Sequence, residues 1–581
     1  MQATVADNRR SRLFVVLLVL AVASELVYAL VAKFGQSLHV EGAGKHSLLT
    51  ILALFGAAFV LYLLGIRVAL AAQQSRRLLA LITVSAIAFR GTLLFSDPIE
   101  EIDLYRYLWD GQVVVAGGNP FQYSPRQVLS ADRTERLPPE LARLVDIQDR
   151  SRETAQILDR IHYGELPTIY PPTSQAVFAV AALCTPQSAS LATRMIIMKA
   201  WFVGFDLATL WLVVLLLRWA EKPIGWSIAY AWCPLLLKEI ANSGHLDALA
   251  VFLATLSLYL AVRALFPRKP TADISPPSSA RSGLLICTAA AILTLAVGAK
   301  LYPLVLLPLL WVTTLCRLGW RKAIATGFVS VLGTAIVLWP MVPKQNLAEL
   351  PPVRISATAD DLPPLPPPEL GISARDPSQS LRAFLSEWEM NDFLFLLVME
   401  NVRPTDQLPR EEVAWFSVVS ESWRQSICGR VAEQSGVEPG RAPFFITRAA
   451  TSLAFMITAF WLAVRPATRG DAEGYLEAAF LTLAWFWLLL PTQNPWYWTW
   501  ALPLLPFARG RAWIALSGLA LLYYFRFWLA AHFLNAPVFG TNYRGPQFFD
   551  YVVTWFEYGP WLLGLAIAAW LRRREPRGQN A

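Results

Sequence analysis

The chain is built from apolar runs of about 20 residues, the length a helix needs to cross a bilayer. Runs this long and continuous exclude barrel strands, which alternate over about ten residues. In hydrocarbon only helices and closed barrels satisfy every backbone hydrogen bond. Hydrophobic residues fill 55% and charged residues 16% of the 581 positions, whereas a soluble domain carries about 25% charged residues. The sequence therefore predicts an all-α polytopic membrane protein. Its net charge of +8 does not point to nucleic acid. The basic residues sit in short clusters between apolar runs, the positive-inside pattern, and no nucleic-acid motif is present. The five cysteines (Cys184, Cys233, Cys287, Cys316 and Cys428) form no CxxC pair and read as packing residues.

Arg9, Arg10 and Arg12 place the N-terminus in the cytoplasm. The first run, 13–33, is too long for a signal-peptide core and reads as an uncleaved helix. Further spans are expected over 48–70, 78–95, 194–217, 224–240, 246–265, 283–299, 301–316 and 323–341, then over 444–464, 475–491, 497–508, 512–531 and 555–571. This makes about 14 transmembrane helices, within a range of 12–15, with both termini cytoplasmic and every basic cluster on the cytoplasmic side. The expected organisation is N-terminal transmembrane helices over 1–95 and a first extracytoplasmic loop over 96–193 with interfacial or re-entrant helices. Transmembrane helices over 194–342, a second extracytoplasmic loop over 343–443 and C-terminal transmembrane helices over 444–581 follow. The second loop contains "LPPLPPPEL", which cannot form regular helix. No repeat of fixed period is evident, which disfavours repeat-built transporter folds.

With that topology the unusual polar residues gather at the outer ends of helices. "SDPIEEIDLYRYLWDG" (96–111) supplies five carboxylates, "NSGHLDALA" supplies His245 and Asp247, "GAKLYP" supplies Lys300, and "TQNPWYWTW" supplies Gln493, Asn494 and Trp496. Arg90 lies just before the first of these, and "SEWEMNDFLF" (386–395) lies in the second long loop. Each has an ordinary explanation: a helix cap for His245 and Asp247, a snorkelling Lys300, belt aromatics at 496–500, and a structural Arg90–Asp97 pair. Together they describe a polar extracytoplasmic cavity, and ionisable groups near membrane depth are functional candidates. On a helix Asp103, Arg106 and Asp110 would line one side, whereas Glu101 and Asp103 would share a face only on a loop or strand.

A carboxylate there suits a general base for an acceptor hydroxyl, and Lys300 or an arginine suits a phosphate on which charge develops. That chemistry is transfer of a group from a lipid phosphate. No HExxH, Walker, GxSxG or dinucleotide fingerprint is present, and the cytoplasmic loops are too short for a sugar-nucleotide domain. The rival is a lipid or sugar transporter or flippase using the same charges as a pathway. Glu25, Asp206, Lys238 and Glu239, inside apolar runs, are what that rival rests on.

"DLYRYLWDGQVVVAGGNPFQYSP" (103–125) resembles the first-loop motif of bacterial polyprenol-phosphate-mannose-dependent mannosyltransferases of the glycosyltransferase C superfamily. "IYPPTSQAVFA" (169–179), "GHLDALAVFLATLSLYLA" (244–261), "KLYPLVLLPLL" (300–310), "FLSEWEMNDFLF" (384–395) and "QNPWYW" (493–498) follow in the order of that family, so the resemblance covers about residues 90–510. It implies an integral protein of a bacterial cell membrane with an extracytoplasmic site. The donor would be a polyprenyl-phosphate-linked hexose, mannose at the family level, the acceptor a glycolipid or glycan, and transfer would invert the anomeric carbon. The catalytic acidic residue maps to Asp103 and its acidic neighbour to Glu101 or Glu100; because Ile102 separates the acidic residues, the base is Asp103 or Glu101, and Asp103 is preferred. Lys300, Arg106 and Arg90 are expected at the donor phosphate. Asp110, Tyr170, His245, Asp247, Gln493 and Asn494 are expected around the sugar or acceptor. Trp109 and Trp496 are expected to stack on sugar faces, and Trp388, Asn391 and Asp392 to order the second loop over the site. Some relatives use a divalent cation, Mg or Mn, which Glu101 and Asp103 would ligate. Membrane lipids are the other partners; the sequence sets no oligomeric state.

Overall fold

The computed structural model describes residues 2–36, 46–134, 136–267, 278–342, 378–406 and 408–574. Among these residues the fold is helical, with one isolated bridge between Met390 and Thr492. Ten helices are long and apolar enough to cross a membrane: Arg12–Gln36, Leu48–Ala71, Arg76–Leu94, Leu191–Trp219, Asp247–Leu265, Ser279–Ala299, Trp320–Met341, Pro439–Pro466, Ala512–Phe533 and Gly545–Leu571. In seven of the ten, fewer than half of the residues in the most apolar stretch are buried. In the most apolar stretch of Trp320–Met341 only 17% of residues are buried, and Phe328, Val331 and Ile336 are exposed. Apolar surface on that scale needs lipid around it, so this is an integral membrane protein.

The expected count of about 14 is met by ten full-length helices among the described residues, and the difference has a local cause. Segment 224–240 is broken by Pro234 into the 3-10 turn Ile224–Ser227, the short helices Ile228–Ala231 and Pro234–Leu236, and the π-helical turn Leu237–Asn242. Segment 497–508 holds Pro503 and Pro506 and forms only the 3-10 stretch Leu502–Phe507. Segment 301–316 starts with the 3-10 turn Tyr302–Leu306 before the helix Leu307–Leu318. The helix Ala472–Leu489 forms, but Glu473 and Glu477 lie inside it. Pro172–Leu183, expected to be interfacial or re-entrant, is a 12-residue helix of about 18 Å, too short to span. The Pro-rich "LPPLPPPEL" falls outside the described residues. The rest of that loop is partly helical, over Gln379–Glu387, Leu394–Val402 and Glu421–Ser435. All five cysteines are free.

The chain divides into two compact units. The first comprises 1–96, 213–238 and 390–581. The helices Arg12–Gln36, Leu48–Ala71 and Arg76–Leu94 pack together here. Their core includes Phe89, with Tyr28 at 5.1 Å and Trp232 at 5.4 Å between ring centroids. Two polar contacts lie in this interior: Thr92 donates to Glu25, and Lys238 donates to the Tyr524 hydroxyl. The second unit comprises 97–212 and 239–389. In it Asp247–Leu265, Ser279–Ala299 and Trp320–Leu338 pack in series, and the helix Asp103–Val115 lies against Pro172–Leu183. That close approach depends on Gly111, where a Cβ would lie 2.4 Å from the Phe178 carbonyl oxygen.

Candidate active site

The second unit gathers the carboxylates of the first long loop. Asn242 fixes the entry of the segment: its Oδ1 accepts from the Ile99 amide at 3.0 Å and its Nδ2 donates to the Asp97 carbonyl at 2.7 Å. Glu100 is held at a positive φ of 48°, and the helix Asp103–Val115 begins three residues later. The first amides of a helix have no partner within it. Glu101 supplies one, because its Oε1 accepts from the amides of Ile102 at 2.9 Å and Asp103 at 2.7 Å. Its Oε2 lies 3.0 Å from His245 Nε2. Both oxygens of Glu101 are therefore engaged.

Asp103 differs. Its Oδ2 accepts from the Tyr170 hydroxyl at 3.0 Å, and its Oδ1 has no hydrogen-bond partner among the described residues. Burial and then repulsion by Glu101 push the Asp103 carboxyl above its usual range, against smaller opposing effects of His245, the Tyr170 hydroxyl and His162. Tyr170 is itself fixed: its ring meets Tyr107 edge-on at 5.0 Å, and Gln175 Nε2 donates to its carbonyl at 3.1 Å and to Asp110 Oδ2 at 3.0 Å. Asp103, Arg106 and Asp110 do lie on one helix, and Asp110 is linked to Asp103 through Gln175 and Tyr170.

His245 arrives from the other side. Its amide donates to the Glu239 carbonyl at 3.1 Å, and its Nε2 lies 3.3 Å from Glu239 Oε2 as well as 3.0 Å from Glu101 Oε2. Burial alone would lower the imidazole pKa, but the two carboxylates outweigh it and raise the value to about 10. His245 is therefore an imidazolium wedged between two carboxylates. Gly244, at φ +75°, makes the turn that delivers it, and a Cβ there would sit 2.8 Å from Lys199 Cγ. Gly244→Ala is expected to cost about 1–2 kcal/mol from the left-handed backbone alone, read as a lowered unfolding temperature in detergent.

Asp247 and Lys300 form a second pair, with Lys300 Nζ 2.8 and 2.7 Å from the two carboxylate oxygens. The Lys300 side chain keeps 19% exposure while Asp247 has none. Arg106 is buried, which lowers its pKa. Its guanidinium donates to the carbonyls of Leu166, His162 and Tyr163 at 3.1, 3.3 and 3.0 Å. Trp109 is 3% exposed, inside the core. Trp388 belongs to this unit, half-buried beside Tyr163.

The remaining expected site residues, Arg90, Asn391, Gln493, Asn494 and Trp496, belong to the first unit. Arg90 is fully buried and donates to the carbonyls of Ala86 and Ala231 at 3.1 and 2.9 Å. Asn391 donates to the Gln493 carbonyl at 3.0 Å, and Gln493 Nε2 donates to the carbonyls of Leu488 and Leu490, so these two amides tie 390–393 to 488–493. Asn494 accepts from the Trp487 indole through its carbonyl at 3.1 Å. Trp496 packs on Tyr497 and Tyr523. Sequence reasoning missed Glu239 as a member of the His245 cluster. Its signal was a carboxylate inside an apolar run.

A half-buried carboxylate with a raised pKa, one oxygen held and the other open, is suited to taking a proton from a hydroxyl group. One ligand atom each from Glu101, Asp103 and His245 lie within 4.8 Å of one another. Against this geometry, a family model described as alpha-(1->6)-mannopyranosyltransferase, N-terminal domain, matches residues 13–316, which include the whole cluster from Glu101 to Lys300. No curated protein and no solved structure matches the chain. The match covers just over half of the 581 residues, and the chain belongs to this family of membrane mannosyltransferases.

Proposed function

We propose that the protein moves mannose from a polyprenyl-phosphate donor to a glycolipid or glycan acceptor on the extracytoplasmic face of a bacterial cell membrane, with inversion. The observation that carries the mechanism is the asymmetry of the two carboxylates: Glu101 has both oxygens engaged, while Asp103 has one open. Asp103 takes the proton of the acceptor hydroxyl as its oxygen attacks the anomeric carbon. The bond from that carbon to the phosphate oxygen breaks, and polyprenyl phosphate leaves with the electron pair. An α-linked product from one displacement requires a β-linked donor. Lys300 suits the leaving phosphate because its ammonium is still partly exposed, whereas Arg106 and Arg90 hold backbone carbonyls. The positive-inside distribution of basic clusters supports the outer location of the site.

A divalent cation fits the oxygens of this cluster but not its nitrogen. His245 Nε2 faces two carboxylate oxygens and so carries a hydrogen there. Asp103 would hold the ion through its open oxygen, and Glu101 only by giving up its contact with His245; an oxygen donor set favours Mg or Mn. Bound there, the ion would supply positive charge for the departing phosphate. Chelation with EDTA is expected to depress transfer and added Mn or Mg to restore it; turnover indifferent to chelation would remove the cation from the reaction.

The direct test is incubation of the purified protein with polyprenyl-phosphate-mannose of known anomeric configuration and a mannose-bearing acceptor, with the new linkage read by NMR. Transfer that retains the donor configuration, or transfer only from a sugar nucleotide, would overturn the proposal.

A further inference from the structure

Tyr163 carries an unusual backbone for a bulky residue, with φ at +52°, a conformation that persists only where its surroundings hold it. Here the holder is Arg106. Its Nη2 takes the carbonyls of His162 and Tyr163 and its Nη1 that of Leu166, while the Leu166 amide closes on the Tyr163 carbonyl at 3.0 Å. The bend therefore turns its carbonyls toward a buried guanidinium. The His162 and Tyr163 rings stack on each other at 3.9 Å, 23° from parallel. Trp388 meets Tyr163 at 4.7 Å and Phe384 at 5.3 Å. Ser380 Oγ donates to the Pro167 carbonyl at 2.7 Å, which pins the helix Gln379–Glu387 to the same loop.

Partial exposure sets this cluster apart from core packing. His162, Tyr163 and Trp388 are each only half-buried, unlike the fully buried aromatics of the core. The Trp388 indole N–H is shielded from solvent and has no partner among the described residues, and a buried donor without an acceptor is costly. A ligand oxygen would satisfy it. The cluster also borders the base: Arg106 sits one turn after Asp103 on the same helix, and His162 acts electrostatically on the Asp103 carboxyl.

We infer that His162, Tyr163 and Trp388 form an aromatic platform on which the acceptor sugar ring lies, with the Trp388 indole N–H donating to one of its hydroxyls. A hexose presents an apolar C–H face rimmed by hydroxyls, which matches half-exposed rings with one indole donor at their edge. The acceptor is favoured over the donor sugar because the platform is built onto the Asp103 helix, whereas the cation suited to the donor phosphate, Lys300, ends the helix Ser279–Ala299 and pairs with Asp247. This assignment rests on the transferase reading above.

The test is steady-state transfer by the purified full chain carrying Tyr163→Ala, Trp388→Ala or Trp388→Phe, with acceptor and donor concentrations varied separately. A stacking contact at the upper end of the aromatic range corresponds to about a tenfold rise in acceptor KM. Tyr163→Ala and Trp388→Ala are expected to show that rise with a much smaller change in kcat and in donor KM. Trp388→Phe, which keeps a ring and loses the donor, is expected to fall between them and wild type. A loss of kcat at unchanged acceptor KM, or a rise in donor KM alone, would overturn the platform. Binding of a soluble α-linked mannose disaccharide, followed by saturation-transfer NMR on wild type, Asp103→Asn and Tyr163→Ala, separates the two readings. The platform predicts signal in the first two and loss in the third, even if transfer from polyprenyl-phosphate-mannose fails. Equal signal in all three would overturn it.

Discussion

Asp103→Asn is expected to yield a folded protein whose transfer rate is lower by roughly 10²–10⁴-fold, the usual contribution of a positioned general base. The substitution preserves shape, and the amide oxygen can still accept from the Tyr170 hydroxyl that Oδ2 now receives at 3.0 Å. The structural cost is limited to a negative charge at a helix start, about 0.3–1 kcal/mol. Glu101→Gln run alongside separates the two carboxylates. It leaves an oxygen for the amides of Ile102 and Asp103 but removes the charge facing His245, so its effect should fall on stability more than on chemistry. The pH dependence has a defined sign. The base works only when ionised, and burial with repulsion from Glu101 raises the Asp103 pKa. Wild-type turnover should therefore fall as pH drops through a value above about 4, the ordinary aspartate range. Full turnover by folded Asp103→Asn would remove this residue from the role.

How far this site could be read from the sequence differs from residue to residue. The helix over Asp103, Arg106 and Asp110 was legible, because i, i+3 and i+4 spacing is a local property. The separation of the acidic residues by Ile102 left two candidates open, and spacing could not decide between them. What separates the two in the fold is Glu101 folding back onto the helix start, a contact that depends on where the helix begins. The partnership of Glu239 and His245, six positions apart, was not legible. It requires the π-helical turn Leu237–Asn242 and the positive φ at Gly244, and a hydropathy pattern averages over both. The same averaging turned 224–240, 301–316 and 497–508 into expected spans. Apolar content was right in each case, but prolines break 224–240 and 497–508 into short turns and leave 301–316 as a turn followed by a 12-residue helix. Trp109 and Trp388 show the limit for aromatics: each sits inside one of the quoted motifs, and only tertiary packing makes one a core residue and leaves the other half-exposed.

The largest stability effect is expected at His245. Its side chain is 1% exposed, between Glu101 at 6% and Glu239 at 0%. His245→Ala leaves two buried carboxylates facing each other without their counter-charge, and breaking a buried pair of this kind costs about 3–5 kcal/mol. The measurement is thermal unfolding of the purified protein in detergent. Adding Glu239→Gln should recover part of the loss, because only one carboxylate then remains unpaired; a hole left by a missing ring would not be relieved by neutralising the neighbouring charge. The linkage to pH distinguishes the two causes again. The His245 pKa is raised in the folded protein to about 10, against about 6.5 for an unperturbed imidazole. A raised value means that its stabilisation is complete below about 6.5 and is lost as pH climbs through 10. Wild type should thus lose thermal stability across that window, while His245→Ala, which has no imidazole to titrate, should lose less. Parallel pH curves for the two proteins would mean that the imidazole is neutral in the fold, and the charge-balanced cluster that holds Glu101 in place would then have to be abandoned.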